Sequence, residues 1–170
     1  MTRIQRRLAT ADEGLPPSRL AGEPKFGGKT LQQWDSDWLR VEGGFTVLHS
    51  DLRHHVGLFQ ARLRGAIMYI GKAVEIDNGG LRKRLSDFRR PSPSAREHYG
   101  AMRIHDHMNE LDLHVLITGS VELAEVLKSA MITRHVPPWN MEKKEAELAT
   151  QAHIRAAGAK VRPTLKLVTM

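Results

Sequence analysis

A chain of 170 residues, 41% apolar and 26% charged, has room for one domain with a hydrophobic core plus terminal extensions, and is too apolar for a disordered polymer. The absence of cysteine excludes disulfides and thiolate-held zinc, and no run nears the roughly 18 to 20 apolar residues of a membrane span, so a cytoplasmic, membrane-free setting is expected. Lys and Arg number 26 against 19 Asp and Glu, a net charge of +7 that gathers polyanions but equally suits a solvated basic surface.

Residues 1 to 29 carry Gly14, Pro16, Pro17, Gly22, Pro24, Gly27 and Gly28 without a sustained period, and read as an arm. Thr30 is placed to cap a short helix through Leu39, with Leu31, Trp34, Trp38 and Leu39 near one face and the tryptophans as packing anchors. The apolar runs Val56 to Leu63 and Ala66 to Ala73, separated only by Arg64-Gly65, predict a β-hairpin. Leu81 to Phe88 reads as a short helix loaded with Arg82, Lys83 and Arg84, and Ser94 as the cap of a helix to about His107.

Leu111 to Thr118 alternates and then turns continuously apolar, as a third strand paired with the hairpin would. Leu123, Val126, Leu127, Ala130 and Met131 recur at helical spacing before the stop at Pro137-Pro138. A charged helix from Glu142 to about Ala156 is expected next, and Val161 to Val168 as a strand or a docked tail.

This order, with particular residues at its corners, resembles the GIY-YIG endonuclease family. Gly57-Leu58-Phe59 stands where that family has Gly-Ile-Tyr, and Tyr69-Ile70-Gly71 matches its Tyr-Ile-Gly. Lys72-Ala73, Leu81-Arg82-Lys83-Arg84-Leu85 and Pro137-Pro138-Trp139-Asn140 are similar to segments of the N-terminal nuclease domain of the excinuclease subunit that incises damaged DNA. The resemblance implies an α+β fold, a small three-stranded antiparallel sheet flanked by helices. Residues 1–54 then form an N-terminal arm and short helix, 55–140 the GIY-YIG-like domain, and 141–170 a C-terminal helix and tail.

Membership in that family implies Mg²⁺-dependent phosphodiester hydrolysis. A tyrosine hydroxyl orients water, an arginine neutralises charge growing on the phosphate, and a glutamate holds the metal through hard oxygen. Carried over by position, the catalytic set is Tyr69, Arg84 and Asn140. Three other positions depart from the pattern. Phe59 replaces the first motif's tyrosine, Phe88 stands where relatives carry Tyr or His, and Lys128 occupies the glutamate's place twelve residues before Asn140. An ammonium cannot ligate Mg²⁺ and repels it. Glu125, one turn earlier and about 60° around the helix, is the alternative metal ligand, while its plain reading is a solvated helix residue, as for Glu122. Lys128 is otherwise suited to bind phosphate directly.

His105 and His107 point about 200° apart if helical and cannot share an ion, and His54-His55 read as surface residues. Lys72, Arg82, Lys83, Arg89, Arg90, Lys128, Arg134 and His135 are the candidate nucleic-acid-binding set, converging on one face if the resemblance holds. The reading that results is a nucleic-acid-binding protein, with duplex DNA as partner, whose GIY-YIG-like domain has lost or reduced hydrolysis. The alternatives are an active endonuclease using Glu125 and Mg²⁺, and a protein-interaction or inhibitor module on the same scaffold.

Overall fold

The computed structural model describes residues 22–90, 98–141 and 143–160. Its centre is the predicted hairpin, β4 (Gly57–Leu63) and β5 (Ala66–Ala73). Arg64 and Gly65 both adopt positive φ, 51° and 82°, the geometry of a two-residue turn whose twist matches its strands. The predicted third strand, β6 (Leu111–Ile117), pairs antiparallel with β4 over that strand's full length, from Gly57↔Ile117 to Leu63↔Leu111.

A fourth strand extends this three-stranded sheet. The helix expected through Leu39 is only α1 (Leu31–Ser36), and Leu39–Val41 instead forms β3, paired with β6. The helix start is as predicted: Thr30 and Gln33 make a reciprocal capping box, each satisfying an otherwise free backbone N–H. At the other end the Asp37 N–H closes on Trp34 O, and the chain then finds a better partner for its amides in β6. The strand order is β3-β6-β4-β5, all antiparallel, so β5 is an edge. Within the predicted arm, β1 (Lys25–Phe26) and β2 (Lys29–Thr30) form a separate two-stranded hairpin.

Each face of the sheet buries its own apolar cluster. On one, Phe59, Ala61, Leu113 and Val115 pack under α2 (Gly80–Asp87), α3 (Tyr99–His107), Phe45 and Trp139. On the other, Leu58, Ile70 and Leu116 pack under Trp34 and under Ala124, Leu127 and Met131 of α4 (Val121–His135). Ser120 caps α4 by accepting from Leu123 N at 3.2 Å, and Val136 ends it at φ 46°, since the following proline disfavours a right-handed helical conformation. The charged C-terminal helix, α5, runs Lys143–Lys160. The Ser94 cap and the segment Val161 to Val168 lie outside the described residues, as do residues 1–21. Among those described, no helix is long and apolar enough to cross a membrane.

The segment before the hairpin is part of this core. Phe45 is 1% exposed and sits edge-on to Phe59 and Phe88, at 6.5 and 5.9 Å between ring centroids. Truncating a buried phenylalanine costs about 3 to 5 kcal/mol. Phe45→Ala is therefore expected to lower the unfolding free energy from urea melts by that amount with an unchanged m-value, and a loss under about 1 kcal/mol would show that the Phe45 segment is only draped on the sheet.

Candidate nucleic-acid interface at the β5 edge

An edge strand presents backbone N–H and C=O groups that have no neighbouring strand. On β5 the Asn140 side chain answers one such pair. Ile70 N donates to Asn140 Oδ1 at 2.8 Å, and Asn140 Nδ2 donates to Ile70 O at 2.9 Å. The single-turn 3₁₀ helix Pro138–Asn140, started by the proline, sets that amide against the strand. Asn140, expected in the catalytic set, thus acts on Ile70 of β5 as a brace that fixes the strand carrying Tyr69 and Lys72.

Tyr69 lies on the aromatic side of β5. Burial raises its hydroxyl pKa, and the Arg84 guanidinium partly opposes that rise. The other expected hydroxyl positions are dry. Phe59 and Phe88 are buried and touch edge-on at 5.4 Å, Phe59 lies 5.9 Å from Tyr69, and Phe45 closes the group. The Phe59 ring lies so close over Gly71 that a Cβ there would come within 2.1 Å of Phe59 Cζ. Only glycine admits this contact. Gly100 makes a second close approach, where a Cβ would meet the Tyr69 ring at 2.5 Å and the Trp139 carbonyl at 2.6 Å.

On the other side of β5, Lys72 forms an ion pair with Glu125 of α4. Lys128, one turn along, is half-buried; burial lowers its pKa, and repulsion by Lys72 and Arg84 adds to the shift against a partial rise from Glu125. Lys72 and Lys128 therefore lie beside one carboxylate, Glu125, while the exposed Arg84 lies over the Phe88 ring at 5.9 Å and has the smallest charge effect on Lys128. That donor set does not fit Mg²⁺, because the carboxylate is engaged by one ammonium and a second stands one helical turn away. Among the described residues no group of three or more His, Asp or Glu could hold a metal ion.

The rest of the predicted basic set divides. Arg82 is half-exposed, Lys83 pairs with Asp87 at 3.2 Å, and Arg89 and Arg90 lie exposed just past α2. Arg134 and His135 are committed elsewhere, to Asp35 of α1 at 3.2 and 2.8 Å. Burial pushes the Asp35 carboxyl up, but His135 and Arg134 more than offset it and hold it below the usual range. These two residues lie at the C-terminal end of α4, roughly 9 to 10 Å further along its axis than Lys128, tied to α1. His105 Nδ1 donates to the Phe88 carbonyl at 2.8 Å and His107 stacks on Trp139, so the two rings are engaged at different places. His54 and His55 are exposed, as expected.

One polar group escaped the sequence reading. Gln60 is fully buried, Arg62 Nε donates to its Oε1 at 2.8 Å, and His114 stands directly across from it on β6. Burial, with the nearby Arg62, drives the His114 pKa down to about 4. The signal was available as the alternation Leu58, Gln60, Arg62, two polar residues on a strand face that begins apolar. The unfolded chain takes up a proton on His114 near 6.5 and the folded chain only near 4, so stability present above 6.5 is lost as pH falls through that window. His114→Gln is expected to flatten this part of the stability profile in urea melts from pH 7 to 4, while an unchanged slope would place His114 in water.

Among solved structures, the chain is similar to the GIY-YIG N-terminal endonuclease domain of UvrC from Thermotoga maritima bound to its catalytic divalent cation, magnesium. The identity is 22% over 53% of this chain and 88% of that chain, with a TM-score of 0.42. A tyrosine-to-phenylalanine point mutant of the same domain, bound to its catalytic divalent cation, matches at 23% identity over 54% of this chain and 88% of that one, with a TM-score of 0.42. No protein-family model and no curated protein matches the chain.

Proposed function

We propose that this protein binds nucleic acid, duplex DNA foremost, along the β5 edge, and that its GIY-YIG-like domain has lost or strongly reduced phosphodiester hydrolysis. The observation that carries this reading is the pairing of Lys72 with Glu125 beside Lys128, with Arg84 exposed on α2. Half-buried Lys72 and Lys128, together with the exposed Arg84, concentrate positive charge on this side of the molecule. A phosphate backbone is its natural counter-ion, and each contact releases condensed cations from the polymer. Arg82, Arg89 and Arg90 extend the charge along α2, so a strand lying in the groove meets further phosphate contacts beyond the central cluster.

Hydrolysis asks for more than charge. It needs a positioned water, and two of the positions where the family resemblance expects a hydroxyl or imidazole are Phe59 and Phe88, packed on each other in a water-free cluster. It also needs a site for a divalent cation, and Lys128 puts an ammonium there instead. Tyr69 and Arg84 retain the geometry to orient and neutralise a phosphate group without completing a cleavage site. A cytoplasmic setting belongs to the same proposal.

Fluorescence anisotropy with a labelled duplex, in EDTA, is expected to give an affinity that falls steeply with salt. Arg84→Ala and Lys128→Ala should each weaken it at all sequences and make the salt slope shallower by about one. Plasmid incubated with the protein and Mg²⁺ or Mn²⁺ should stay supercoiled. Absence of binding at low salt would overturn the binding reading, and EDTA-sensitive nicking abolished in Arg84→Ala would overturn the loss of hydrolysis.

A further inference from the structure

Glu125 is the one carboxylate in the cluster, and its position has the wrong company for a metal ligand and the right company for a stand-in anion. It projects from α4 to Lys72 across the β5 edge, with Lys128 three residues on along the helix, while Arg84, exposed on α2, adds a weaker positive field. The two ammonium groups repel one another, and the carboxylate beside them offsets that repulsion. A phosphodiester likewise offers anionic oxygens to ammonium and guanidinium donors, and along a polymer its charge recurs at every nucleotide. We propose that the Glu125 carboxylate occupies the phosphate seat of the free protein, as an internal counter-ion that an incoming phosphate displaces from Lys72.

The displacement is physically easy. Lys72 and Glu125 side chains are 30% and 46% exposed, and ion pairs at such positions contribute only about 0.2 to 1 kcal/mol. Opening the pair therefore costs little, while Lys128 stays held by its half-buried stem and Arg84 by its place on α2. The carboxylate then acts as a threshold on binding. A lone monovalent anion gains too little to evict it, whereas a phosphate that reaches Lys72, Lys128 and Arg84 together gains from several cations at once. The sign of this effect separates the assignment from a metal-ligand role. A metal ligand strengthens phosphate binding when a divalent cation is present, and its removal weakens binding. An internal counter-ion opposes phosphate binding with or without a divalent cation, and its removal strengthens it.

This inference rests on the proposed binding of phosphate polymers, and the test keeps the two separable. Wild type, Glu125→Gln and a charge-matched control, Glu42→Gln near the opposite sheet edge, are titrated in EDTA and again in Mg²⁺ with a labelled DNA duplex by anisotropy. The same three proteins are titrated with inorganic phosphate, followed by NMR shifts of the Lys72 and Lys128 side chains. Glu125→Gln is expected to tighten duplex binding about two- to fivefold, the range that an exposed ion pair corresponds to, with a salt slope steeper by about one and no dependence on Mg²⁺. Glu42→Gln should leave both unchanged. Unchanged or weakened binding in Glu125→Gln, for duplex and phosphate alike, overturns the inference and leaves nucleic-acid binding standing. Tighter inorganic phosphate binding without any duplex binding supports the inference and overturns the nucleic-acid reading.

Discussion

The contact between the Phe59 ring and the bare Cα of Gly71 organises the molecule. It lies across the β4–β5 pair, where the two residues are direct partners, and it exists only because position 71 lacks a Cβ. With Phe59 laid flat over β5, its ring edges become the surface on which Phe45, Phe88 and Tyr69 assemble. These side chains come from the loop after β3, the end of α2 and β5 itself. One cross-strand contact thus ties the sheet to the segment before it and the helix after it, and each aromatic pair adds something on the order of 0.5 to 1.5 kcal/mol beyond burial. A tyrosine at position 59 would carry its hydroxyl at Cζ, the ring atom that lies against Gly71 within the buried cluster.

Electrostatics complements that burial. On one side of β5 the apolar cluster raises the Tyr69 pKa, and on the other α4 places Lys128 where burial and two neighbouring cations lower its own. Both shifts have the same cause, a half-buried environment that penalises charge, and they fall on residues one turn of chemistry apart across a single strand. Around Lys72 and Lys128 the protein supplies a single carboxylate, Glu125, and so leaves net positive charge there. The Asp35 cluster with Arg134 and His135 shows the contrasting case, in which the protein supplies its own carboxylate to basic residues and leaves little net charge to offer a partner.

What was legible in the sequence was local and periodic. The hairpin announced itself through Arg64-Gly65 between two apolar runs, α4 through its spacing from Leu123 to Met131, and its stop through Pro137-Pro138. β3 was not legible, because three residues are too few to show a period and the ladder that forms it comes from β6, more than seventy residues away. Phe45 sits in a Gly-Gly-Phe-Thr stretch that reads as a loop, and its burial depends on Phe59 and Phe88 being phenylalanine. Arg134 and His135, basic in the sequence, are paired with Asp35. Ion pairs between distant elements, such as Lys72 with Glu125 at a separation of 53 residues, leave no trace in composition or spacing.

Asn140 connects these observations. Alternate residues of a strand point to opposite faces, so Tyr69 and Lys72, on either side of Ile70, face the aromatic cluster and α4 respectively. The strand edge between them is the floor of the groove, and a flexible edge would let the two halves drift apart. The Asn140 amide holds that edge by donating to and accepting from the Ile70 backbone, as a neighbouring strand would. It satisfies two groups that would otherwise template pairing with another chain. Because its function is to fix backbone geometry, the brace is as necessary to a groove that only binds phosphate as to one that cleaves, which accounts for its presence beside Phe59 and Lys128.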